Sequence, residues 1–370
     1  MPRARTTCVL LLALAILASG CQEARAGASC RGDAWGQQGD WVLRCERGRW
    51  VRKATKAQVV SLLQAVAEAK RRSEGQVVRP GDLGPVVVQN AADPDVLVAG
   101  GVHYVFSTRN FRNVPVRVVR DVDRPIGEAY ASTVDAMPAR IPWASRQEVW
   151  APTARRIGSR YVMFFSAPRR NPPDRANEQC IGRAFASAPA GPYVPDPAPF
   201  NCGFDGVHGA LDPSLYVAPD GSITLLAAFG GSTMNLRAIR LDVNANATSG
   251  PIDLLARTQG WEQWFLENPS MTFDGRDYLL AYSAGRWQEA SYVTGVARCA
   301  SPLGPCNSSA AGPWLTSVAG RSGPGGLSFF TGADGQARVV FHSYPAGNTC
   351  NTCRSAHVRR VAFDPWPRLL

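Results

Sequence analysis

The sequence predicts an all-β protein whose main domain is a five-bladed β-propeller. Five stretches share one design, a short polar motif before an apolar strand: Asp93-Pro94-Asp95 before HYVFST, Trp150-Ala151-Pro152 before YVMFFS, Asp212-Pro213-Ser214 before ITLLAAF, Glu267-Asn268-Pro269 before DYLLAYS and Gly325-Gly326-Leu327 before ARVVFHSY. With anchors at Asp93, Ala151, Asp212, Glu267 and Gly326, the steps are 58, 61, 55 and 59 residues. Kelch propeller blades run to roughly 50 residues. The 28 prolines and 35 glycines suit a chain dense in turns.

Residues 1–20 are predicted to be a secretory signal peptide. Arg3 and Arg5 precede an apolar run that ends in small residues, which is the pattern of an export signal. The stretch from Leu17 to Cys21 resembles a bacterial lipobox, which would place a lipid on Cys21; cleavage after Ala26 is the alternative. The run is too short to remain as a membrane span. We therefore expect an exported protein, either a cell-surface lipoprotein or a secreted one.

Export changes how the cysteines are interpreted. Ten cysteines less Cys8 and Cys21 leave eight, an even number in an oxidising compartment. Neighbours in sequence suggest four disulfides, although spacing alone does not fix the connectivity: Cys30–Cys45, Cys180–Cys202, Cys299–Cys306 and Cys350–Cys353. The CxxC spacing of the last pair also fits a redox or zinc site, but no second CxxC or nearby histidine pair accompanies it.

Residues 27–80 form a distinct region before the repeats. Its first part contains two cysteines and three tryptophans, which predicts a small disulfide-closed β element whose tryptophans form its core or bind sugar. A helix is predicted from Thr55 to about Arg72, because apolar residues recur on one face. Residues 73–85 are predicted to be a linker, and 86–366 the propeller domain.

The formal net charge of +11 comes almost entirely from arginines scattered along the chain. Nucleic-acid binding would require clustered basic residues and a recognised motif, so we expect no nucleic-acid partner. Attraction to an anionic cell wall or acidic polysaccharide is the functional alternative to a merely arginine-rich composition. A monomer is expected.

Three of the five anchors are carboxylates. Asp93 and Asp212 each precede a proline, and Glu267 lies two residues before one. A single acid in this context is usually a turn or capping residue. Three acids at one phase of a propeller repeat, however, converge on the central axis. Two carboxyl groups with different pKa values are what glycosidic bond cleavage needs.

The repeat motifs resemble the successive signatures of glycoside hydrolase family 43, over about residues 86–366. The matching stretches are AADPDVLVAGGVHYVFST, VWAPTARRIGSRYVMFFSA, LDPSLYVAPDGSITLLAAF and LENPSMTFDGRDYLLAYSAGRW. The resemblance implies a five-bladed propeller and an inverting glycosidase of the arabinofuranosidase, arabinanase or β-xylosidase type. It also implies that Asp93 is the general base, Glu267 the general acid, and Asp212 the residue that adjusts the pKa of the acid.

The resemblance suggests substrate-binding residues as well. Trp150 corresponds to the family's WAP motif and is expected to stack on a sugar ring or to pack between blades. Trp287 in AGRW, Phe204 in CGFDG and Arg354 after the last strand are weaker candidates for contacts with the substrate.

The same resemblance raises the question of a metal ion. No cofactor is required for the reaction, but His342 in VVFHSY matches a family histidine that helps to hold a central ion, commonly calcium, or orders water. Gly326 stands where the family's frequent GPGH motif has histidine, which puts metal binding in doubt. His208, just before the third repeat, is expected either to reach the pocket or to lie in a loop.

The sequence therefore favours an exported glycosidase acting on arabinose- or xylose-containing polysaccharides or oligosaccharides. A non-catalytic carbohydrate-binding propeller at the cell surface is the alternative, and a wall-anchored structural protein is a third reading. The chain touches a membrane only through the lipid on Cys21, if one is attached there.

Overall fold

The computed structural model describes residues 22–32, 34–59, 83–124, 130–171, 178–204, 207–230, 234–347, 349–350, 352–364 and 366–370. The chain divides into two compact units, Met1–Ser73 and Glu74–Leu370. The predicted signal peptide, Cys21, residues 60–72 of the predicted helix and most of the predicted linker lie outside the described residues. Among the described residues, no helix is long and apolar enough to cross a membrane.

The N-terminal unit contains one four-stranded sheet in the order of the chain: β1 (Gln22–Glu23), β2 (Trp35–Gln38), β3 (Trp41–Glu46) and β4 (Arg49–Thr55). Leu43, Trp50 and the Cys30–Cys45 disulfide form its small core. A helix begins at Lys56, where the side chains of Thr55 and Gln58 each accept a hydrogen bond from the other's backbone N–H, a capping box.

The second unit contains five antiparallel sheets, each with four strands in chain order, and the last sheet includes a fifth strand from the start of the unit. β5 (Val86–Val88) comes first, and blade 1 follows as β6 (Asp95–Ala99), β7 (Val102–Phe106), β8 (Pro115–Val119) and β9 (Tyr130–Asp135). Blade 2 contains β10 (Trp150–Ile157), β11 (Arg160–Pro168), β12 (Gln179–Ala186) and β13 (Val194–Pro195). A ribbon of β14 (Gly203–Phe204) and β15 (Val207–His208) leads into blade 3.

Blade 3 contains β16 (Ala210–Val217), β17 (Ile223–Phe229), β18 (Asn235–Leu241) and β19 (Ile252–Leu255). Blade 4 contains β20 (Leu266–Phe273), β21 (Tyr278–Ala284), β22 (Val293–Cys299) and β23 (Cys306–Ser308). Blade 5 contains β24 (Arg321–Thr331), β25 (Ala337–Pro345), β26 (Ser355–Phe363) and β27 (Pro367–Leu369). β5 also pairs with β26, so the first and last strands of the unit meet in one blade and close the ring.

The core of the propeller consists of five apolar clusters, each lying between neighbouring blades. β11 shows how one strand serves two of them. Met163 and Phe165 pack in the cluster shared with blade 1, whereas Val162 and Phe164 pack in the cluster shared with blade 3. Because successive side chains of a strand point to opposite faces, a strand buried on both faces needs a continuous apolar run. This is why the second strands have sequences such as YVMFFS.

The predicted fold class and all four predicted disulfides are confirmed. Cys180–Cys202 ties blade 2 to the loop before blade 3, Cys299–Cys306 joins two strands of blade 4, and Cys350–Cys353 closes the loop between the second and third strands of blade 5.

Candidate active site

The first strands of the five blades surround an axial channel. Its lining comes from equivalent segments of every blade: Asp93–Asp95, Ala151–Thr153, Asp212–Ser214, Asn268–Pro269 and Gly326–Ser328. The segments of blades 1 to 4 lie at or near the N-terminal start of the first strand, whereas that of blade 5 lies in the middle of β24. The acids of blades 1, 3 and 4 therefore meet at one end of the propeller. The loops between second and third strands lie at this same end, since the strands of a blade alternate in direction.

Each lining segment contains one residue in the left-handed region of backbone space. The φ angles are 47° at Asp93, 42° at Ala151, 52° at Asp212, 49° at Asn268 and 57° at Gly326. In blades 2 to 5 the pairing with the second strand shifts register at this residue, as at a β-bulge. Aspartate and asparagine tolerate this conformation better than most residues, and glycine adopts it freely.

The structural repeat differs by one residue from the repeat inferred in blade 4. Asn268, not Glu267, is equivalent to Asp93 and Asp212. Glu267 instead precedes the left-handed residue, as Trp150 does in blade 2. Glu267 and the aromatic residue of the WAP motif therefore occupy equivalent positions on different blades.

Hydrogen bonds between neighbouring blades hold these left-handed residues in place. The backbone N–H of Ala151 donates to Thr108 Oγ1, that of Asp212 to Ser166 Oγ and that of Gly326 to Ser283 Oγ, each at 2.9 Å. Each acceptor lies within two residues of the end of the second strand of the preceding blade.

In blade 5 the equivalent acceptor is a histidine. The N–H of Asp93 donates to His342 Nδ1 at 3.1 Å. In blade 3 the equivalent second-strand residue is Ala228, whose side chain has no acceptor. The backbone N–H of Asn268 donates instead to the carboxyl group of Asp212.

Asp93 is held as a carboxylate. Thr108 donates its hydroxyl to Oδ2 at 2.6 Å, and Arg354 Nη1 lies 3.2 Å from Oδ1. Burial alone would raise the pKa of Asp93, but the charge of Arg354 and the hydrogen bond from Thr108 outweigh it and lower the pKa below its ordinary value. An ionised carboxylate of this kind can accept a proton from water.

Glu267 has the opposite tendency. Its side chain is buried, and Tyr292 donates a hydrogen bond to Oε1 at 2.7 Å. Burial raises the pKa of Glu267 to about 7, even though the hydrogen bond from Tyr292 opposes that change. A carboxylic acid with this pKa retains its proton close to neutrality and can donate it to a leaving group.

Asp212 is buried beside the other two acids. Burial and the negative charges of Glu267 and Asp93 raise the pKa of Asp212 well above its ordinary value, and the backbone hydrogen bond from Asn268 opposes this. Asp212 and Glu267 therefore titrate as a pair that holds a proton near neutral pH. Within this pair, burial is the largest cause of the raised pKa of Glu267.

His342 is fully buried, and its imidazole stacks against Tyr292 with ring centroids 6.2 Å apart. Burial lowers the pKa of His342 to about 3, so the ring is neutral. Because Nδ1 accepts the backbone hydrogen bond from Asp93, the ring proton belongs on Nε2, which is buried and has no protein partner among the described residues.

Gly326 leaves no room for the side chain that the GPGH motif would place there. A Cβ at this position would lie 2.7 Å from His342 Nδ1 and 2.9 Å from Asp93 Oδ1. Glycine at this point allows blade 5 to pack directly against Asp93 and His342.

Arg354 and Trp287 lie together beside Asp93. The guanidinium of Arg354 is 5.0 Å from the centre of the Trp287 ring, and the Tyr344 hydroxyl donates to the Trp287 carbonyl at 2.6 Å. Trp287 and Trp150 are both half-buried. Trp150 begins the first strand of blade 2, and Trp287 lies in the loop between the second and third strands of blade 4. Both tryptophans therefore lie at the end of the propeller that contains the acids.

Two other predicted residues make different contacts. Phe204 packs edge-on against Phe229, with ring centroids 5.7 Å apart, and Arg237 lies 4.1 Å above its ring. His208 lies in β15 with Nδ1 3.4 Å from Glu178 Oε1. Phe204 therefore packs against blade 3, whereas His208 contacts the loop between the second and third strands of blade 2.

Sequence reasoning missed two residues whose side chains donate hydrogen bonds to the carboxyl groups, Thr108 to Asp93 and Tyr292 to Glu267. Thr108 had a usable signal, because a serine or threonine follows or ends the second strand in HYVFST and YVMFFS. Tyr292 had none, because it lies in a loop 25 residues beyond Glu267.

Comparison with known proteins decides the family. The sequence model of glycosyl hydrolases family 43 matches residues 83–367. The chain belongs to this family. It is thus a glycoside hydrolase with a carbohydrate substrate, and the resemblance of its motifs is confirmed. No curated protein matches the sequence.

Solved structures of family 43 share the fold. A thermostable family-43 glycoside hydrolase is 20% identical, with 79% of this chain and 96% of that chain covered and a TM-score of 0.68. The α-L-arabinofuranosidase from Lactobacillus brevis is 19% identical, covers 78% and 95%, and has a TM-score of 0.65. An exo-1,5-α-L-arabinanase from a bovine ruminal metagenomic library is 20% identical, covers 78% and 98%, and has a TM-score of 0.61. At such identities these similarities establish the fold alone.

Proposed function

We propose that this family-43 enzyme is an exported, inverting glycosidase that cleaves arabinose- or xylose-containing polysaccharides or oligosaccharides. The observation that carries the proposal is that two carboxyl groups at one end of the axial channel have pKa values shifted in opposite directions. Arg354 and Thr108 keep Asp93 ionised, whereas burial keeps Glu267 protonated near neutral pH. One base and one acid are what single-step hydrolysis with inversion requires.

In the proposed reaction, Asp93 takes a proton from a water molecule as the water oxygen attacks the anomeric carbon. The bond between that carbon and the glycosidic oxygen breaks, and its electron pair goes to the leaving oxygen. Glu267 donates its proton to that oxygen. The products are a sugar of inverted anomeric configuration and a free alcohol, with Asp93 protonated and Glu267 ionised at the end of the step.

The neighbouring residues have supporting roles in this scheme. Tyr292 orients the carboxyl group of Glu267, and Asp212 shares the buried site and helps to keep a proton on the pair. The buried Nε of Arg354 has no partner among the described residues, and we propose that the Arg354 guanidinium donates to a sugar hydroxyl. Trp150 and Trp287 are proposed to stack against sugar rings at the entrance.

The residues at the axis do not fit a calcium ion bound directly by His342. The Nε2 of this histidine carries the ring proton, and calcium prefers oxygen ligands. An N–H group in this position suits a hydrogen bond to water. A calcium ion held through water stays a prediction, and no step of the proposed reaction uses it.

Hydrolysis of 4-nitrophenyl α-L-arabinofuranoside, 4-nitrophenyl β-D-xyloside and arabinan by the purified protein tests the proposal. We expect activity on at least one of them, and proton NMR of the first-formed sugar should show the inverted anomer. Glu267→Gln should lose turnover on arabinan while retaining sugar binding. Sugar binding without hydrolysis of any of the three would favour the carbohydrate-binding alternative, and retention of configuration would contradict the inverting mechanism.

Export is also part of the proposal, with a lipid on Cys21. It is supported by the basic start, the apolar run and the lipobox-like sequence before Cys21. Expression with labelled palmitate should label the wild-type protein in the membrane fraction and leave Cys21→Ala unlabelled. Unlabelled wild-type protein outside the cell would support simple secretion, and protein retained in the cytoplasm would contradict export.

A further inference from the structure

The loop before blade 4 lies at the end of the propeller that contains the acids. It leads into β20, whose second residue is Glu267. Trp264 lies three residues before that acid. The loop between β21 and β22, which contains Arg286 and Trp287, lies at the same end. These two loops therefore form the rim of the site on the blade 4 side.

A buried carboxylate fixes the loop of Trp264. Glu262 Oε2 accepts hydrogen bonds from the backbone N–H groups of Thr258 and Gln259, at 2.6 and 2.8 Å. Its Oε1 accepts from the hydroxyls of Tyr282 and Ser308, at 2.5 and 2.6 Å. Four hydrogen bonds to one buried acid leave the loop little freedom, so Trp264 is held in a preformed position.

Trp264 itself is both strained and exposed. Its φ is 66°, in the left-handed region that a bulky residue rarely adopts, and 47% of its surface is exposed. Backbone strain of this kind persists where the surrounding structure imposes it, and it is concentrated at functional sites. Burial of the indole does not explain its position, because the indole remains in contact with solvent.

Arg286 covers one part of the Trp264 ring, with its guanidinium 3.8 Å from the ring centre. The next residue, Trp287, has Arg354 over its own ring, and Arg354 contacts Asp93. Two tryptophan–arginine pairs thus follow one another outward from the catalytic base. Each pair offers an aromatic face for the C–H groups of a sugar and N–H donors for its hydroxyls.

We propose that Trp264 and Arg286 form an outer sugar-binding subsite for a chain that extends beyond the two sugars flanking the cleaved bond. This inference rests on the proposed function. It assigns to the enzyme a preference for oligosaccharides and polysaccharides over short glycosides. The ligand is a neutral pentose unit of the substrate chain, stacked on the exposed part of the indole.

The test compares Trp264→Ala and Trp264→Phe with Trp41→Ala. Trp41 is a matched control, because it is 36% exposed and has the Arg52 guanidinium 5.1 Å from its ring, in the N-terminal unit. We measure kcat and KM on the active 4-nitrophenyl glycoside and on arabinohexaose or xylohexaose. For Trp264→Ala, a stacking contact of this kind predicts a KM on the hexasaccharide raised about five- to tenfold.

The same variant should leave kinetics on the nitrophenyl glycoside unchanged. Trp264→Phe should recover part of the loss, and Trp41→Ala should behave as wild type. An unchanged hexasaccharide KM in Trp264→Ala would overturn the assignment, as would equal losses on both substrates or in Trp41→Ala.

A binding measurement separates this inference from the proposed function. In the Glu267→Gln background, isothermal titration with each hexasaccharide gives Kd without turnover, and Trp264→Ala should weaken it by about the same factor. If the wild type hydrolyses nothing but binds a hexasaccharide through Trp264, the proposed function fails while the subsite stands. If the wild type hydrolyses the hexasaccharide and Trp264→Ala does not weaken binding, the subsite fails alone.

Discussion

The hydrogen bond from Tyr292 to Glu267 should set the alkaline limit of activity. Tyr292→Phe removes a donor 2.7 Å from Oε1 and changes the volume of the side chain very little. Because this hydrogen bond favours the ionised carboxylate, it lowers the pKa of Glu267. Its removal should therefore raise that pKa and extend activity to higher pH.

The size of the shift follows from the strength of such a bond. A hydrogen bond to a charged group contributes about 1.5–3 kcal/mol, and a protonated Glu267 would still accept part of it. If about half of the energy distinguishes the two protonation states, the pKa rises by about one unit, since one unit equals about 1.4 kcal/mol. The alkaline midpoint should move from about 7 to about 8. At pH 8, relative activity should then rise about fivefold.

The assay is kcat/KM against pH on an oligosaccharide, normalised to each variant's own maximum. An oligosaccharide is needed because its alcohol leaving group depends on protonation by Glu267. Tyr344→Phe is the control: it removes another buried hydroxyl nearby, but that hydroxyl donates to the Trp287 carbonyl and not to Glu267. Its midpoint should stay at the wild-type pH. An unchanged or lower midpoint in Tyr292→Phe would refute the reasoning.

Two further predictions concern the surroundings of Asp93. Gly326→Ala should lower both the free energy of unfolding, by about 2 kcal/mol or more, and kcat/KM, because the new Cβ meets His342 and Asp93. Gly335→Ala, with φ of 77° but nothing within 4 Å, should cost about 1 kcal/mol in urea unfolding and leave kcat/KM intact. If the two substitutions changed the free energy of unfolding and kcat/KM equally, backbone strain alone would explain the effect of Gly326→Ala. Arg354→Met should raise the pKa of Asp93 and move the acidic limb of the pH profile upward by about one to three units; an unmoved limb would contradict the pairing.

Much of the architecture could be predicted because each repeat contains a recognisable run of apolar residues. YVMFFS and ITLLAAF are continuous because β11 and β17 are buried on both faces, and turn motifs separate them. The sequence alone does not determine how blade 4 aligns with the other blades. Asn268 and Glu267 are adjacent and both polar, and only the left-handed φ of Asn268 shows which one corresponds to Asp93.

The contacts around the acids were harder to predict, because they depend on loops. Tyr292 reaches Glu267 from a loop between strands, and Trp264 is placed by the hydrogen bonds of Glu262. Neither loop has a periodic pattern that would reveal its path. Motif resemblance, by contrast, suggested Asp93 as the base and Arg354 as a substrate-binding residue. It did not predict that Arg354 contacts Asp93, because that contact depends on the closure of the ring.

The assignment of Glu267 as acid and Asp93 as base is tested most directly by the dependence of each variant on the leaving group. Glu267→Gln and Asp93→Asn are compared on the active 4-nitrophenyl glycoside and on an oligosaccharide of the same sugar. Nitrophenolate leaves with little protonation, so Glu267→Gln should lose about 1,000-fold in kcat/KM on the oligosaccharide and far less on the nitrophenyl glycoside. Asp93→Asn should lose equally on both, since water must be activated in either case. Equal losses for Glu267→Gln, or full activity in either variant, would contradict the assignment.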